Sequence, residues 1–313
     1  MFGMDPLLNM AALLFAGLLF SRLIKLLKLP NVTGFLVGGL IIGPSVLGLL
    51  STQGVESLGL ISSVALGFIA FSIGSEFKIS YFRRVGFLPI VIATFESLFA
   101  VVFVVAALAA AGQTLPFSLV LGAIAAATAP AATIMVIKQY RAKGPVTETL
   151  LSVVALDDAT ALIFFGIAVA IAQALESPQH ASLLFSVLSP VLQILAALGI
   201  GLALGAAHTL LIRFLPARHN RLVLTIAFVL TATAVAELLG LSALLTTMAM
   251  GAVFANFCKQ SAQVMELTDR FTNPIYMMFF VLSGAGLNLS ILPSIGLVGV
   301  IYVVVRVLGK MAG

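Results

Sequence analysis

Continuous apolar stretches, each long enough to cross a lipid bilayer, make up most of the chain. Crossing about 30 Å of hydrocarbon takes roughly 20 residues of α-helix. The runs are unbroken and do not alternate at every second position, so they predict membrane helices and not an outer-membrane barrel. Eleven stretches qualify, and short segments connect them: 5–24, 31–50, 55–75, 86–111, 115–137, 146–175, 183–212, 221–239, 241–257, 271–289 and 291–313.

The composition supports this interpretation and excludes two broad classes of protein. Apolar residues account for 61% of the 313 positions and charged residues for only 9%, against about 25% charged in soluble domains. A soluble fold could not cover its surface with so few charges, and an intrinsically disordered chain would not be so apolar. The single cysteine, Cys258, excludes an intramolecular disulfide.

The basic residues alternate between connections, and this alternation predicts the topology. Of the 16 Lys and Arg residues, all but two follow the first, third, fifth, seventh or ninth stretch. By the positive-inside rule these connections are cytoplasmic and the N-terminus lies outside. The formal charge of +5 therefore reflects membrane topology and does not indicate a nucleic-acid partner. The cations are Arg22, Lys25, Lys28, Lys78, Arg83, Arg84, Lys138, Arg141, Lys143, Arg213, Arg218, Arg221, Lys259 and Arg270.

A few ionisable residues lie inside the predicted spans, where they are costly unless they have partners or a function. Asp157 and Asp158 lie roughly 17 Å along the sixth span, near the bilayer midplane. Neighbouring helical residues point about 100° apart, so we expect one carboxylate to meet a fixed cation and the other to face water. Arg306 and Lys310 share a face of the eleventh span, and we expect Glu96 and Asp157 to be their partners. The simplest alternative is an acid pair that only balances these cations.

The fifth span contains a second unusual feature, the segment AIAAATAPAATIM at 123–135. Pro130 removes a helical hydrogen bond at mid-span, and Thr128 and Thr133 lie on either side of it. Small residues allow helices to cross closely, and a broken helix exposes backbone groups that can face an ion. Next to the two aspartates of the following span, this segment predicts an ion-binding cradle.

Two pairs of spans resemble each other internally. FSIGSEFKIS at 71–80 and VLSGAGLNLS at 281–290 share a glycine, apolar positions and a final serine. GFLVGGLIIG at 34–43 and LLTTMAMGAV at 244–253 match more loosely. The members of each pair lie seven spans apart and cross the membrane in opposite directions. This arrangement is typical of an inverted-topology repeat.

Together these segments resemble the bacterial cation:proton antiporter-2 family of sodium/proton exchangers, which has a thirteen-helix inverted-repeat fold. In this family the second aspartate binds the transported cation or proton, which maps to Asp158. The first pairs with the lysine of the eleventh helix, which maps to Asp157 and Lys310. The Asp-Asp form resembles the electrogenic members. The segments that carry the resemblance are LPNVTGFLVGGLIIGP (29–44), FSIGSE (71–76), ATAPAAT (127–133), ALDDA (155–159) and RVLGK (306–310).

The resemblance also implies an organisation for the single transmembrane domain over 1–313. Residues 85–175 and 291–313 would form the ion-translocating core, 1–80 and 220–290 the scaffold and dimerisation helices, and 183–213 a linker helix. A twelfth and a thirteenth helix would follow, so we expect this chain to lack half of the helix crossover. No cofactor is implied, and the expected form is a homodimer in the bacterial inner membrane.

The predicted activity is exchange of Na⁺ for protons, with Asp158 binding the transported Na⁺ and Thr128 helping to coordinate it. Sequence leaves Li⁺ and K⁺ open, so a K⁺/H⁺ antiporter of the same family is one alternative. A sodium-coupled organic-anion symporter is another, although the mid-spans contain few Asn or Gln residues. A passive channel does not explain the charged midplane site. A membrane enzyme fits poorly because the two aspartates are adjacent on one helix.

Overall fold

The computed structural model describes residues 5–79, 86–128, 130–176 and 183–313 of the chain. Regular structure in these ranges is helical, and two short 3₁₀ turns lie at Ile212–Phe214 and Leu289–Ile291. The α-helices are α1 Pro6–Leu26, α2 Asn31–Ile42, α3 Thr52–Ser57, α4 Gly59–Glu76, α5 Leu88–Ala110, α6 Leu115–Ala126, α7 Pro130–Tyr140, α8 Pro145–Glu176, α9 Leu183–Leu211, α10 Arg218–Leu238, α11 Ala243–Phe257, α12 Ser261–Ala285 and α13 Leu292–Ala312.

Every predicted apolar stretch contains at least one helix. By length and composition, five described helical segments could cross a membrane: Pro6–Leu26, Leu88–Ala110, Val191–Phe214, Arg218–Leu238 and Ile295–Ala312. Shorter apolar helices occupy further stretches, at Asn31–Ile42, Gly59–Ser75, Leu115–Ala126, Pro145–Val154 and Ala243–Phe257. The predicted total of eleven spans and the external N-terminus stay predictions.

Helix α12 differs from the sequence expectation at its start. The sequence predicts the tenth stretch at 271–289, but α12 begins at Ser261 and ends at Ala285. Its first turns are amphipathic: Val264 and Thr268 are buried, while Glu266 and Arg270 form an exposed i,i+4 ion pair at 2.7 Å. A search for continuous apolar runs misses such a segment, and Arg270 therefore lies in a helix and not in a loop.

Two pairs of helices pack closely because glycines allow their backbones to approach. Helix α2 packs against α12, and α4 packs against α11. Each of four glycines faces a backbone carbonyl of the opposite helix so closely that any side chain there would collide with it. The four glycine–carbonyl contacts are Gly39 with Val281, Gly284 with Leu36, Gly74 with Met248, and Gly251 with Phe71.

These contacts are reciprocal between the two halves of the chain. Gly74 corresponds to Gly284 in the alignment of 71–80 with 281–290. The matching partner of Gly39 is Gly251, whereas the alignment of 34–43 with 244–253 placed Ala249 there. The contacts thus pair the two segments two residues further along than the alignment does. A two-fold relation between the halves predicts this exchange of partners.

The helices that carry the candidate residues pack as one group. Helix α5 contacts α6, α8 and α13, and α6 also contacts α8. A second group contains α1, α2, α4, α11 and α12, and its apolar core includes the fully buried side chains of Phe68, Phe71 and Phe254. The candidate site lies within the first group.

Candidate functional site

The fifth apolar stretch forms two helices with a break between them. Helix α6 ends at Ala126, Ala127 is extended with φ −62° and ψ 137°, and α7 begins at Pro130. Proline lacks an N–H group and disfavours helical geometry in the residue before it. The break leaves the last carbonyls of α6 without helical partners. Thr128 lies in this break, which agrees with the interruption that Pro130 predicted.

Arg306 binds the open end of α6. Its Nε donates to the carbonyl of Ala125 at 3.1 Å, and its Nη2 donates to the carbonyl of Ala127 at 2.6 Å. The C-terminal end of a helix carries partial negative charge, so a guanidinium is stabilised there. The sequence instead predicts an acidic side chain, Glu96 or Asp157, as a partner of Arg306. The structure differs because free carbonyls lie within its reach.

Lys310 lies at the centre of the site and has an acceptor for each of its three hydrogens. Its Nζ is 2.8 Å from Glu96 Oε1, 2.7 Å from Thr128 Oγ1 and 3.1 Å from Asp157 Oδ2. An ammonium group can only donate, so Thr128 must accept from it. The single Thr128 hydrogen is then free for Asp157 Oδ2, with which it forms a short hydrogen bond.

Asp157 is almost fully enclosed, with a side-chain exposure of 1%. Its Oδ2 accepts from Thr128 and Lys310, and its Oδ1 accepts from Ser97 Oγ at 3.2 Å. Thr160 Oγ1 lies 3.2 Å from Ser97 Oγ and donates to the Asp157 backbone carbonyl at 3.0 Å. Both carboxylate oxygens of Asp157 are therefore occupied by donors from the protein.

Ser97 and Thr160 are not predicted from the sequence, although each lies close along the chain to a predicted site residue. Ser97 follows Glu96 directly on α5, and Thr160 lies three residues after Asp157 on α8. Small hydroxyl residues are common throughout these helices, so position alone does not separate the two from the others.

Close helix packing brings Lys310 to Glu96. A Cβ added at Gly309 would lie 2.8 Å from Ala100 Cα, and one added at Gly313 would lie 2.6 Å from Glu96 Cα. Helices α13 and α5 can approach this closely only because these positions carry no side chain. The contact therefore fixes the position along α13 and α5 at which the Lys310 ammonium meets the Glu96 carboxylate.

The sequence also predicts Asp158, Pro130 and Thr133 as residues of the site. Asp158 is part of helix α8, but its side chain lies outside the described part of the structure, and the same is true of Pro130. Thr133 lies in the first turn of α7 and is half-buried. The predicted role of Asp158 in cation binding stays a prediction.

An apolar cavity of about 240 Å³ lies beside the helix break. Residues of α6, α8 and the start of α11 line it. Its lining includes Ala161, one turn after Asp157 on α8. The full lining is Ala123, Ile124, Ala127, Ala161, Phe165, Ser242 and Leu244.

The far end of α7 is attached to the second helix group. Lys138 forms an ion pair with Asp269 of α12 at 2.7 Å. One residue later, Gln139 Oε1 accepts from the Asn31 backbone N–H at 2.8 Å, at the start of α2. Polar contacts thus join the two helix groups at this end of α7.

Comparison with known proteins gives a consistent result. The model of a family described as sodium/hydrogen exchanger, transmembrane, matches residues 10–313. The chain resembles an electron-microscopy structure of the sodium proton antiporter MjNhaP1 from Methanocaldococcus jannaschii, with a TM-score of 0.75 and 18% identity, over 95% of this chain and 73% of that chain. A structure of MjNhaP1 at pH 8 gives a TM-score of 0.70 and 20% identity, over 99% and 79% of the two chains.

No curated protein matches the chain. At these identities the structural likeness shows the fold, and the predicted all-α antiporter-like fold is thereby confirmed.

Proposed function

The chain belongs to the transmembrane sodium/hydrogen exchanger family, and we propose that it exchanges Na⁺ for protons across a bacterial inner membrane. A member of this family is a multi-pass transporter and not an enzyme. The observation that carries the proposal is the Lys310 ammonium, held beside a helix break by Thr128 and two carboxylates.

Asp158 is the residue that binds Na⁺ or a proton in this proposal. The oxygens of its neighbour Asp157 are already occupied by Ser97, Thr128 and Lys310. Because adjacent positions of a helix point about 100° apart, the donors that surround Asp157 need not also occupy Asp158. Its carboxylate is then the group available to a hard cation, which prefers oxygen ligands.

Thr128 is a suitable second ligand for the transported cation. A hydroxyl oxygen has two lone pairs, and only one of them accepts from Lys310. The other lone pair can face the cation while the hydroxyl hydrogen stays on Thr128 and is donated to Asp157. Backbone carbonyls at the helix break supply further oxygen ligands of the kind that Na⁺ requires.

Transport follows from competition between Na⁺ and protons for Asp158, together with movement of the site. Protonation of Asp157 would break its bridge to Lys310. The predicted core, which comprises α5, α6, α7, α8 and α13, then shifts against the remaining helices so that the site opens to the other side. This shift requires the contacts of Lys138 and Gln139 at the far end of α7 to open. The exchange is electrogenic in this proposal.

The test is Asp158→Asn in everted membrane vesicles that contain a pH-sensitive dye. Addition of Na⁺ should cause dequenching with the unaltered protein and none with the variant, because an amide cannot exchange a proton for a cation. Glu148→Gln, which neutralises an exposed glutamate on the same helix, should leave dequenching unchanged. Near-normal exchange by Asp158→Asn would contradict the assignment.

A further inference from the structure

We propose that Glu96 is a positioning residue that keeps the Lys310 ammonium in place when Asp157 releases it. This inference rests on the proposed exchange and adds a step to it. The two carboxylates hold one ammonium in turn, and Lys310 therefore stays charged while the bridge to Asp157 opens.

The first support is the geometry at Lys310. Glu96 lies closer to the ammonium than Asp157 does, at 2.8 Å against 3.1 Å. The side chains of Lys310 and Glu96 are 15% and 16% exposed, so little water is available to replace a lost carboxylate. An ammonium without a carboxylate at membrane depth is strongly disfavoured. Glu96 supplies that carboxylate when Asp157 does not.

The second support is the position of the three residues on their helices. Lys310 and Glu96 lie on α13 and α5, which are in direct backbone contact at Gly309 and Gly313. Asp157 lies on α8, the helix that also carries Asp158. A proton or cation that arrives at α8 therefore disturbs the bridge to Asp157, while the bridge to Glu96 belongs to a separate and tightly packed pair of helices.

The third support is the set of charges around Glu96. Helix α5 is packed by α6, α8 and α13. Among the described side chains, α8 brings Asp157 and α13 brings Lys310, whereas α6 has no ionisable residue. Arg306 of α13 donates to the carbonyls at the helix break. Lys310 is thus the cation that Glu96 contacts among these groups.

The test is a double-mutant cycle with Glu96→Gln, Asp157→Asn and both together, in which Vmax and KM for Na⁺ and the melting temperature of the purified protein are measured. Each single variant should retain measurable exchange, since one carboxylate still holds Lys310, and Asp157→Asn should lower Vmax more than Glu96→Gln because it also removes the proton step at Asp157. The double variant should lose at least about tenfold more Vmax than the product of the single effects. KM for Na⁺ should change little, because Asp158 is intact.

Two further variants separate positioning from a general structural effect. Glu96→Asp in the Asp157→Asn background keeps the carboxylate and should restore part of the lost Vmax. Glu56→Gln in that background neutralises an exposed glutamate outside the site and should change nothing. The inference is overturned if the double variant loses only the product of the single effects, or if Glu96→Asp restores no Vmax.

Failure of the proposed function would look different. In that case the unaltered protein would show no Na⁺-driven proton movement, or Asp158→Asn would still exchange. The melting temperatures then decide the inference by themselves. If the melting temperature of the double variant falls by more than the sum of the two single decreases, the result supports two alternating partners for Lys310. An additive decrease overturns the inference.

Discussion

At the residue scale, the Thr128 hydroxyl connects the two charged groups of the site. It accepts from Lys310 and donates to Asp157, and it can do both because a hydroxyl has one hydrogen and two lone pairs. Thr128 lies in the break between α6 and α7. From there its hydroxyl reaches both the Lys310 ammonium and the Asp157 carboxylate. Thr128 therefore adds a second connection, through its hydroxyl, to the direct bridge between Asp157 and Lys310.

We expect Thr128→Val to lower Na⁺-driven exchange about tenfold and to destabilise the protein by ~1–3 kcal/mol. Valine has nearly the shape of threonine but leaves one Lys310 hydrogen and one Asp157 lone pair without a partner. Thr128→Ser keeps the hydroxyl and should retain most of the activity. Dye dequenching and thermal unfolding measure the two effects. Equal behaviour of the valine and serine variants would show that the hydroxyl is not required.

At the element scale, the break between α6 and α7 organises the site. It exposes the carbonyls that bind Arg306 and places Thr128 beside Lys310. The half-helix after the break ends at contacts with α2 and α12. A single interruption in one stretch thus links the charged site to the second helix group.

The partner of Arg306 can be tested with Arg306→Gln. We expect a lower melting temperature and reduced exchange, because the carbonyls of Ala125 and Ala127 lose a charged donor, worth roughly 1.5–3 kcal/mol per hydrogen bond. Arg22→Gln removes an exposed arginine from α1 and serves as the control. If both variants unfold at the temperature of the unaltered protein, the guanidinium does not stabilise the break.

The sequence predicts those elements whose cause is local. Pro130 predicts the helix break because the missing N–H acts within one turn. Continuous apolar runs predict the spans because a run of apolar residues is also a local property of the sequence. The start of α12 is not predicted, because its amphipathic first turns have no apolar run. The partner of Arg306 is not predicted either, since the open carbonyls of α6 become available only when α13 packs nearby.

At the scale of the whole molecule, the reciprocal glycine contacts relate the two halves of the chain. Helix α2 meets α12 as α11 meets α4, with a glycine against a carbonyl in each direction. We infer that the molecule contains an inverted repeat, with Gly39 matched to Gly251 and Gly74 to Gly284. These contacts hold together the helix group against which the site would move.

If the halves are related in this way, Gly39→Ala and Gly251→Ala should destabilise the purified protein to a similar extent. In each variant the new methyl group meets a backbone carbonyl, which cannot move without shifting a helix. Gly199→Ala, at a helical position with open space around it, should be neutral or slightly stabilising. Thermal unfolding of the three variants measures this, and a large difference between the first two would contradict the repeat.

The central claim is that Na⁺ and protons move in opposite directions through one site. The most direct measurement places the purified protein in liposomes with a pH-sensitive dye inside and imposes a Na⁺ gradient. The account predicts proton movement against the direction of Na⁺ flow, reversal when the gradient is reversed, and no movement with Asp158→Asn. Protons that travel with Na⁺, or no proton movement by the unaltered protein, would contradict it.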